Sequence, residues 1–432
     1  MSTRADKTGD RMPSMAVVGM GYVGLPLAEA FADAGFRVVG LDISVDKCAH
    51  INSGRSVTPD VSDESVQTLV ESGRLRATTD FSVVSEVELI SICVPTPLSK
   101  SKDPDISYIV KACESLLPHV SKGTTVVLES TTYPGTTRDV ILERFEWAGF
   151  ELGKDIFLAF SPERVDPGNE TWNIKNTPKV VGGLTAECGK RAQDYYSKAL
   201  EKVVLVSCAE AAEMVKLLEN TFRAINIGLV NELAMVCDRL GLNAWEIIDA
   251  AATKPFGFLP FHPGPGLGGH CIPIDPLYLS WKMRTMDYKV RFIELADEVN
   301  SAMPHYVVGR AQEILNDLEK SLKGSRILIL GMAYKADVDD VRESPALDLY
   351  EILSGKGVEI SYYDPHVSSF RFASDVIEAV PLETALSKEH DLILVATGHT
   401  SVDYDAFADL GIPVLDTRNC LGHRDDAHIH PL

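Results

Sequence analysis

The stretch MAVVGMGYVGLPLA, residues 15–28, decides the fold of the first part of the chain. Met15–Val18 is a short apolar run, and Gly19–Gly24 follows with three glycines in the spacing GxGxxG. Leu25–Ala34 then has helical spacing and ends at a glycine, and Phe36–Leu41 is again apolar and β-branched. A strand, a glycine turn, a helix and a second strand in this order predict a dinucleotide-binding unit.

The glycine turn indicates the chemistry of the ligand. Glycines let a pyrophosphate approach the backbone at a helix N-terminus, where unpaired amides and the helix dipole favour anions. Asp42 closes the second strand, and we expect it to accept hydrogen bonds from the adenosine ribose. Because a carboxylate repels a 2′-phosphate, the pattern favours NAD over NADP. A glycine-rich turn that binds no ligand is the alternative.

The remaining apolar runs extend this pattern to two α/β domains. Short buried-strand runs alternate with helical segments, which is typical of a parallel, doubly wound sheet. In the first part of the chain these runs are Leu89–Val94, Thr124–Leu128, Ile156–Phe160 and Lys179–Val181. A second unit follows from Arg326, with strands at Ile327–Leu330, Val358–Tyr363, Leu392–Val395 and Val414–Leu415 and a helix at Pro345–Leu353. The fold class is therefore two Rossmann-like doubly wound domains.

The middle of the chain differs from both α/β regions in its composition and in the spacing of its apolar residues. Residues 209–240 place apolar side chains at three- and four-residue steps, which predicts one long helix that joins two domains or two subunits. Residues 253–276 are dense in proline and glycine and predict an irregular, functional loop. We expect a disordered tail at 1–13, an NAD-binding domain at 14–208, a central helical domain at 209–322 and a second α/β domain at 323–432.

Composition excludes several classes of protein. The formal net charge of −21 argues against a nucleic-acid-binding or anionic membrane surface. No signal peptide or membrane-spanning apolar stretch is visible, so we expect neither. Its eight cysteines form no CxxC pair and no zinc spacing, so we expect no metal site, reduced thiols and a cytoplasmic protein.

Cys271 differs from the other cysteines in its surroundings. It ends the sequence Gly268-Gly-His-Cys, with Asp275 four residues later, whereas most of the others lie in apolar segments. A thiolate is a good nucleophile toward an aldehyde, and the glycines would let a substrate approach it. The alternative is an inert buried thiol, which local sequence alone leaves open.

Other candidate residues carry weaker local signals. Lys216 and Asn220 share a face of the long helix, although Lys216 could simply pair with a neighbouring glutamate. Glu163 follows an apolar strand, where α/β sheets bind ligands, although it could pair with Arg164 at the surface. Thr96 and Thr131 likewise follow strands, with ordinary turns as the alternative. Lys335, Arg342 and Arg418 are candidate phosphate ligands, or merely balance nearby aspartates.

Seven motifs occur together in the order of one known family. The chain resembles the UDP-glucose/GDP-mannose dehydrogenase family from about Met15 to Gly422, nearly its whole length. The motifs are GMGYVGLPLA, VPTPL, ESTTYPGTT, FSPERVDPGN, AEMVKLLENTFRAINIGLVNELA, PGPGLGGHCIPIDP and GMAYKADVDDVRESPA. The resemblance implies NAD as cofactor, a UDP-sugar as substrate with 323–432 as the UDP-sugar-binding domain, and a homodimer or higher oligomer built on the long helix. Two apolar surfaces, one for each flanking domain, would explain the helix equally well.

The resemblance also implies roles for individual residues. Cys271 would be the nucleophile and Glu163 the general base, Lys216, Asn220 and Asp275 would hold the C6 oxygen and a water, and Thr131 would lie between nicotinamide and substrate. The cofactor would contact Gly19, Gly21, Tyr22, Val23, Gly24, Asp42, Lys47, Thr96, Thr131 and Arg342. The substrate would contact Glu163, Arg164, Lys216, Asn220, Lys254, Phe258, Gly264, Gly266, Gly268, Lys335 and Arg418.

The implied reaction is a four-electron oxidation of the C6 alcohol of the sugar. A first hydride transfer gives an aldehyde, and Cys271 adds to it as a thiohemiacetal. A second hydride transfer leaves a thioester, which water activated by Glu163 hydrolyses to the carboxylate. SPERVDPGN and HPGPGLGGHCIPIDP look most similar to the UDP-N-acetylglucosamine 6-dehydrogenase branch. UDP-N-acetylmannosamine enzymes share the GGHC pattern and stay open as an alternative, as does UDP-glucose.

Three other functions compete with this interpretation. Tyr278-x-x-x-Lys282 matches the catalytic pair of short-chain epimerases and reductases, but it lies far later in the chain than in that class. A 6-phosphogluconate-type dehydrogenase would not need the GGHC loop or a third nucleotide domain. A nucleotide-sugar sensor without activity would be expected to lose Cys271, Lys216 or Glu163, and all three are present.

Overall fold

The structure is a computed structural model that describes residues 13–99, 103–165, 171–269, 271–422, 424 and 426–432. The expected tail at 1–13 lies outside these residues except for Pro13, and so does His270 of the GGHC motif. The chain divides into two compact units. The first comprises residues 1–219 and 277–286, and the second comprises 220–276 and 287–432. Within the described residues, every helix is too short or too polar to cross a bilayer.

The first unit is built on an eight-stranded sheet of the described residues, with strand order β3-β2-β1-β4-β5-β6-β7-β8. Its neighbouring strands are parallel with one exception, since β6 and β7 pair in antiparallel fashion. The strands are β1 Ser14–Val18, β2 Arg37–Leu41, β3 Leu75–Thr78, β4 Leu89–Ile92, β5 Thr124–Leu128, β6 Ile156–Phe160, β7 Lys179–Gly183 and β8 Val203–Val206.

The antiparallel pair corrects the expectation of a fully parallel sheet. A parallel neighbour needs a crossover that carries the chain back along the sheet, usually a helix. The described residues between Phe160 and Lys179 form no helix. The chain therefore turns back along β6 instead of crossing over.

Helices cover both faces of this sheet. Met15 and Val17 of β1 pack in one apolar cluster, and Ala16 and Val18 pack in another, because successive side chains of a strand point to opposite faces. The helices are α1 Gly24–Asp33, α2 Val45–Asn52, α3 Asp63–Glu71, α4 Ser107–Leu116, α5 Glu143–Trp147, which a π-helical turn at Thr137–Leu142 precedes, α6 Ala186–Tyr196 and α7 Ala209–Leu240.

Helix α7 has the bounds that the apolar periodicity predicts, 209–240, and the boundary between the two units falls inside it. In the second unit α8 Ala244–Ala252 and α10 Arg291–Asp317 follow. Helix α9, Asp275–Arg284, begins inside the predicted loop, so the irregular segment ends at residue 274, two residues earlier than predicted. From Leu277 onward α9 belongs to the first unit.

The second unit contains a smaller parallel sheet with strand order β10-β9-β13-β14-β15 and a separate hairpin of β11 and β12. The strands are β9 Arg326–Leu330, β10 Glu359–Tyr363, β11 Ser369–Phe372, β12 Asp375–Glu378, β13 Leu392–Val395, β14 Val414–Asp416 and β15 Ile429–Pro431. Helices α11 Pro345–Gly355, α12 Leu382–Ala385 and α13 Tyr404–Ala408 connect them. The three-domain boundaries expected from the sequence stay a prediction.

Asp364 follows β10 in the second sheet as Asp42 follows β2 in the first. Its carboxylate accepts hydrogen bonds from the amides of Met332 and Ala333 and from Nε2 of His399. Nδ1 of His399 in turn accepts from the amide of Asp337. Burial alone would raise the pKa of Asp364, but the hydrogen bonds from His399 and the amides outweigh it and lower the pKa to about 2.

We expect Asp364→Asn to lower the free energy of unfolding by about 2 kcal/mol at pH 7. The pKa of Asp364 in the folded protein is about 2, below its ordinary value of 3.8. Its contribution is therefore complete above pH ~4 and is lost as the pH falls through about 2. Urea unfolding at several pH values measures the difference, with exposed Asp375→Asn as the control. This account would be contradicted if the free energies of unfolding of the native protein and Asp364→Asn differed by the same amount at pH 7 and pH 2.5.

Candidate active site

The glycine turn after β1 has the shape that a bound pyrophosphate needs. A β-carbon on Gly19, whose φ is +94°, would lie 2.5 Å from the carbonyl oxygen of Cys93, and one on Gly24 would lie 1.8 Å from that of Gly19. A β-carbon on Gly21 would meet no described atom within 4 Å. The first and third glycines therefore serve packing, and the second leaves a cradle open.

The N-terminus of α1 next to this cradle is suited to an anion. Val23, the N-cap residue, supplies no side-chain cap, and the first turn of the helix carries no acidic residue. The positive end of the helix dipole is thus not neutralised by the helix itself. Tyr22 is exposed and Val23 is half-buried at the same turn. These residues fit the phosphates of NAD.

Asp42 lies at the carboxyl end of β2 and is held by three donors. Its carboxylate accepts hydrogen bonds from the amides of Met20 and Ser44, each at 3.0 Å, and from Nζ of Lys47 at 2.7 Å. Burial raises the pKa of this carboxyl, but Lys47 and the two amides outweigh burial and lower it below the ordinary value. Asp42 is therefore an ionised acceptor at neutral pH.

Thr96 and Thr131 follow the neighbouring strands β4 and β5. Both side chains are half-buried. The carbonyl oxygen of Thr96 accepts a hydrogen bond from the hydroxyl of Tyr278, 2.8 Å away. Because parallel neighbours end at the same edge of a sheet, both threonines lie at the edge where α/β folds bind ligands.

Several bonds fix the segment Ser161–Val165, which follows β6. Nζ of Lys216 donates to the carbonyl oxygen of Glu163 at 2.7 Å, and the guanidinium of Arg164 forms an ion pair with Glu219 at 2.6 Å. Both partners are on α7. Among the described residues, Lys216 therefore bonds to a backbone carbonyl and not to Glu213 or Glu219, and the guanidinium of Arg164 pairs with Glu219 and not with Glu163, unlike the two alternatives weighed from the sequence.

Glu213, also on α7, was not identified from the sequence. Its carboxylate accepts hydrogen bonds from the amides of Gly135 and Thr137 and from the hydroxyl of Thr137. Burial raises its pKa to about 7. The contact ties α7 to the loop that carries Thr131. A glutamate on an otherwise apolar helical face was the available signal.

In the second unit, the candidate nucleophile lies at the entrance to α9. Cys271 is exposed, whereas the other cysteines are buried or half-buried. Its carbonyl oxygen accepts from the amides of Ile274 and Asp275, which closes the turn before the helix. Nδ2 of Asn220 donates to the carboxylate of Asp275 at 2.5 Å, and both side chains are buried. Three of the predicted catalytic residues thus occur around one turn.

Two buried asparagines, also missed from the sequence, anchor the glycine loop before Cys271. The amide of Gly264 donates to Oδ1 of Asn231 at 2.9 Å, and Nδ2 of Asn231 donates to Oδ1 of Asn300 at 2.8 Å. Asn300 completes the chain by donating to the carbonyl oxygen of Ala224. The loop is therefore attached to both α7 and α10.

The same loop packs on the strand ends of the second sheet. A β-carbon on Gly264 would lie 2.5 Å from Nη1 of Arg418, and one on Gly268 would lie 3.1 Å from the carbonyl oxygen of Tyr334. Gly266 has a backbone φ of +143°, which residues with a side chain rarely adopt. The structure thus brings Gly264 and Arg418, two predicted substrate residues, into direct contact.

The remaining predicted substrate and cofactor residues are more exposed. Arg342 forms an ion pair with Asp340, as the charge-balance alternative expects. Lys335 is half-buried, and Lys254 lies over the exposed ring of Phe256, 5.0 Å from its centroid. Phe258 is also exposed.

The epimerase-type pair is not available for catalysis in this structure. Tyr278 is fully buried and donates to the carbonyl oxygen of Thr96, and Lys282 pairs with Asp139. A histidine and acid cluster of the second unit, Asp337, His366 and His399, could be taken for a metal site. However, both ring nitrogens of His399 are engaged in hydrogen bonds within the chain.

Three domains of one known protein family match successive parts of the chain. The NAD binding domain of the UDP-glucose/GDP-mannose dehydrogenase family matches residues 13–200, its central domain matches 210–302, and its UDP binding domain matches 328–423.

Similar proteins cover the chain almost end to end. A UDP-N-acetyl-D-mannosamine dehydrogenase of Methanococcus maripaludis is 35% identical over 97% of this chain and 96% of its own length. A UDP-N-acetyl-D-glucosamine 6-dehydrogenase of Pseudomonas aeruginosa is 33% identical over 90% and 88%. The solved structure of a UDP-D-ManNAc dehydrogenase from Pyrococcus horikoshii superposes with a TM-score of 0.87 at 33% identity, covering 97% of this chain and 98% of that chain.

Asp42→Ala should weaken NAD binding by about tenfold or more and relax discrimination against NADP. The substitution removes a charged acceptor and the negative charge that repels a 2′-phosphate. Titration of both cofactors by calorimetry measures the two dissociation constants. Asp46→Ala, an exposed position on α2, removes the same charge nearby and is the control. Unchanged affinity for both cofactors in Asp42→Ala would contradict the assignment.

Proposed function

Because the chain belongs to the UDP-glucose/GDP-mannose dehydrogenase family and is an NAD-dependent nucleotide-sugar dehydrogenase, we propose that it oxidises C6 of a UDP-2-acetamido sugar to a carboxylate through a thioester on Cys271. The observation that carries this proposal is the exposed thiol at the end of the glycine loop, one turn before the buried pair of Asp275 and Asn220. NAD, when bound, accepts the hydride in each of the two oxidations.

Cys271 acts between the two oxidations. Its thiolate adds to the carbonyl carbon of the aldehyde, which forms a C–S bond and places a negative charge on the C6 oxygen. The residue is exposed, so the sugar can approach the sulfur. After the second oxidation, this sulfur is the leaving group when water releases the carboxylate.

Lys216 and Asn220 hold the C6 oxygen. They lie one turn apart on α7, and both are buried, so their polar heads act in a site of low dielectric constant. The carboxylate of Asp275 accepts from Asn220 and orients its amide. Donors fixed in this way stabilise the oxyanion without reorganisation during the reaction. Thr131, at the end of β5, contacts the substrate from the cofactor side.

Glu163 is the general base for hydrolysis of the thioester. One oxygen of its carboxylate accepts from the amides of Arg164 and Val165, which orients the group. Ion pairing of Arg164 with Glu219 and the bond from Lys216 to its carbonyl oxygen hold the whole segment. A base fixed in this way takes a proton from the attacking water.

The UDP portion contacts the strand ends of the second sheet. Arg418 lies against Gly264, and its guanidinium also donates to the carbonyl oxygen of Ala396 at the end of β13. A β-carbon on Gly266 or Gly268 would meet Pro345, and one on Gly268 would also meet Tyr334, which precedes Lys335. Arg418 offers a planar cation suited to phosphate oxygens. Lys254 and Phe258 contact the sugar from the exposed part of the loop.

The 2-acetamido group is favoured by both the motifs and the relatives. The motifs predict N-acetylglucosamine, and relatives at 32–36% identity named UDP-N-acetyl-D-mannosamine dehydrogenase favour the C2 epimer as second candidate. Phe261 packs against Phe222 and His262 stacks on Trp245, which makes part of this loop an aromatic wall suited to an acetyl methyl. The segment is therefore suited to recognise the group at C2.

The native enzyme should yield two NADH per sugar, and Cys271→Ser should yield no uronic acid, because the thioester cannot form. Stopped-flow NADH absorbance with product analysis by mass spectrometry measures both, over a panel of UDP-glucose, UDP-N-acetylglucosamine and UDP-N-acetylmannosamine. Cys208→Ser, a half-buried thiol of the first unit, is the matched control.

In this panel the kcat/KM of the 2-acetamido sugars should exceed that of UDP-glucose by about 10- to 200-fold. UDP-glucose lacks the acetamido group at C2, and the loss of contacts to a group of that size has an effect of this order. Two NADH per sugar from Cys271→Ser would overturn the nucleophile. A UDP-glucose preference would overturn the substrate class and leave the reaction type intact.

The chain should form at least a dimer through α7. Phe222, Leu229 and Val236 repeat every seven residues on this helix and are 47%, 61% and 45% exposed in a single chain. Such a stripe is covered in a stable protein by another apolar surface. Light scattering at micromolar concentration should give at least twice the mass of 47.2 kDa. The Leu229→Glu, Val236→Glu double variant should shift the measured mass toward that of the monomer. Leu382→Glu, at another exposed leucine, should leave the mass unchanged.

A further inference from the structure

Behind Glu163 lies a buried group of charges that the reaction scheme does not use. Lys179 and Glu129 are 4% and 0% exposed at their side chains, and Nζ of Lys179 lies 2.5 Å from Oε2 of Glu129. The other oxygen of Glu129 accepts from the hydroxyl of Tyr196, which also contacts Oγ of Ser91 at 2.9 Å. Burying a lysine and a glutamate is costly, even as a pair. Their position therefore calls for an explanation.

The antiparallel pairing of β6 and β7 explains how Lys179 reaches Glu163. Phe160 pairs with Gly182 and Ala159 with Gly183. Continuing this register three residues beyond the end of β6 places Lys179 across from Glu163. A parallel β7 would have left its first residue at the opposite edge of the sheet. The strand reversal therefore brings a cation to the edge that carries the candidate base.

Lys179 faces the oxygen of Glu163 that has no hydrogen-bond partner among the described residues. Oε1 of Glu163 accepts from two backbone amides, whereas Oε2 is buried and accepts no hydrogen bond from the described part of the chain. Nζ of Lys179 lies 3.8 Å from this Oε2. The Glu163 side chain is 14% exposed, so one side of it reaches solvent.

One cation thus serves two carboxylates of unequal exposure. Burial raises the pKa of Glu129, and the nearby charge of Glu163 raises it further. The charge of Lys179 acts in the opposite direction. The pKa of Lys179 is raised, because the two carboxylates outweigh its burial. Cys93 and Tyr196 are the other titratable groups that face the cluster, and burial raises both of their pKa values well above the ordinary ones.

We propose that Lys179 is a positioning residue that holds the carboxylate of Glu163 toward β7, and that Glu129 offsets part of the charge of Lys179 so that Glu163 can act as the base. This inference rests on the proposed role of Glu163 in thioester hydrolysis. In that step a water oxygen bonds to the thioester carbon, the C–S bond breaks, the electron pair returns to Cys271 as thiolate, and Glu163 takes the water proton. Lys179 touches none of the reacting atoms.

The two partners have opposite effects on the base. Without Lys179, two buried carboxylates would face each other without a cation, and we expect the acid limb of hydrolysis to move to higher pH. Without the charge of Glu129, Lys179 would act on Glu163 alone, and we expect the acid limb to move to lower pH. A purely structural ion pair would instead affect folding in both variants without moving the pH dependence in opposite directions.

The experiment measures single-turnover hydrolysis of the thioester against pH in the full chain, with the adduct followed by intact-protein mass. Lys179→Met should move the acid limb of the rate upward by about one pH unit and slow hydrolysis at pH 6 about tenfold, with KM and the first hydride transfer unchanged. Glu129→Gln should move the limb downward. Lys122→Met and Asp155→Asn, which break another lysine–carboxylate pair, are the controls and should leave it in place.

Glu163→Gln separates this inference from the proposed function. Accumulation of the thioester in Glu163→Gln, together with a native pH profile in Lys179→Met, overturns the role of Lys179 and leaves the base assignment standing. No thioester in Glu163→Gln overturns the base itself. If Lys179→Met does not fold by circular dichroism, the Lys179→Met, Glu129→Gln double variant removes both buried charges. Its acid limb must then lie above that of Glu129→Gln, and coincidence of the two overturns the proposal.

Discussion

The periodicity of helix α7 is the constraint on which the candidate site depends. In its first part, Glu213, Lys216 and Glu219 recur every three residues and bind, respectively, the loop after Thr131, the carbonyl oxygen of Glu163 and the guanidinium of Arg164. Side chains three and four residues apart share a face of a helix, so one face of α7 holds two strand-end loops. A helix breaker in this stretch would release both loops.

The same helix organises the second unit through amide side chains. Asn220 binds Asp275 next to the turn of Cys271, and Asn231 binds the backbone of Gly264. A buried asparagine satisfies backbone donors that a loop cannot satisfy within itself. These two contacts attach an otherwise irregular segment to α7.

Asp42 and Asp364 occupy equivalent positions in the two sheets but have different partners. Each follows the second strand of a strand–helix–strand unit and accepts amide hydrogen bonds from the turn after the first strand. Asp42 is paired with the half-buried Lys47, whereas Asp364 is covered by the buried ring of His399. A carboxylate that is fully satisfied inside the protein stabilises the turn and has little capacity left for a ribose. The repeated fold therefore does not imply a repeated ligand contact.

Local sequence determined the elements whose signal is short in range. The glycine turn, the apolar strands and the 32-residue helix were predicted because residue periodicity and glycine spacing reflect backbone geometry directly. Cys271 was identified by its unusual neighbours, and the roles of Lys216 and Glu163 came from the resemblance to a family. Their actual partners were not accessible in this way, since each bond joins residues about 50 positions apart in the chain.

Only the tertiary structure decided the direction of β7 and, with it, the position of Lys179. A strand of apolar residues has the same composition whichever way it runs, and the pairing register depends on the whole sheet. Lys179, Glu129, Asn231 and Glu213 look like ordinary polar residues in sequence. Their burial and their partners arise when strands and helices that are distant in the chain pack together. The types of residue that could do the chemistry can be read from the sequence, but their charges, contacts and orientation depend on that packing.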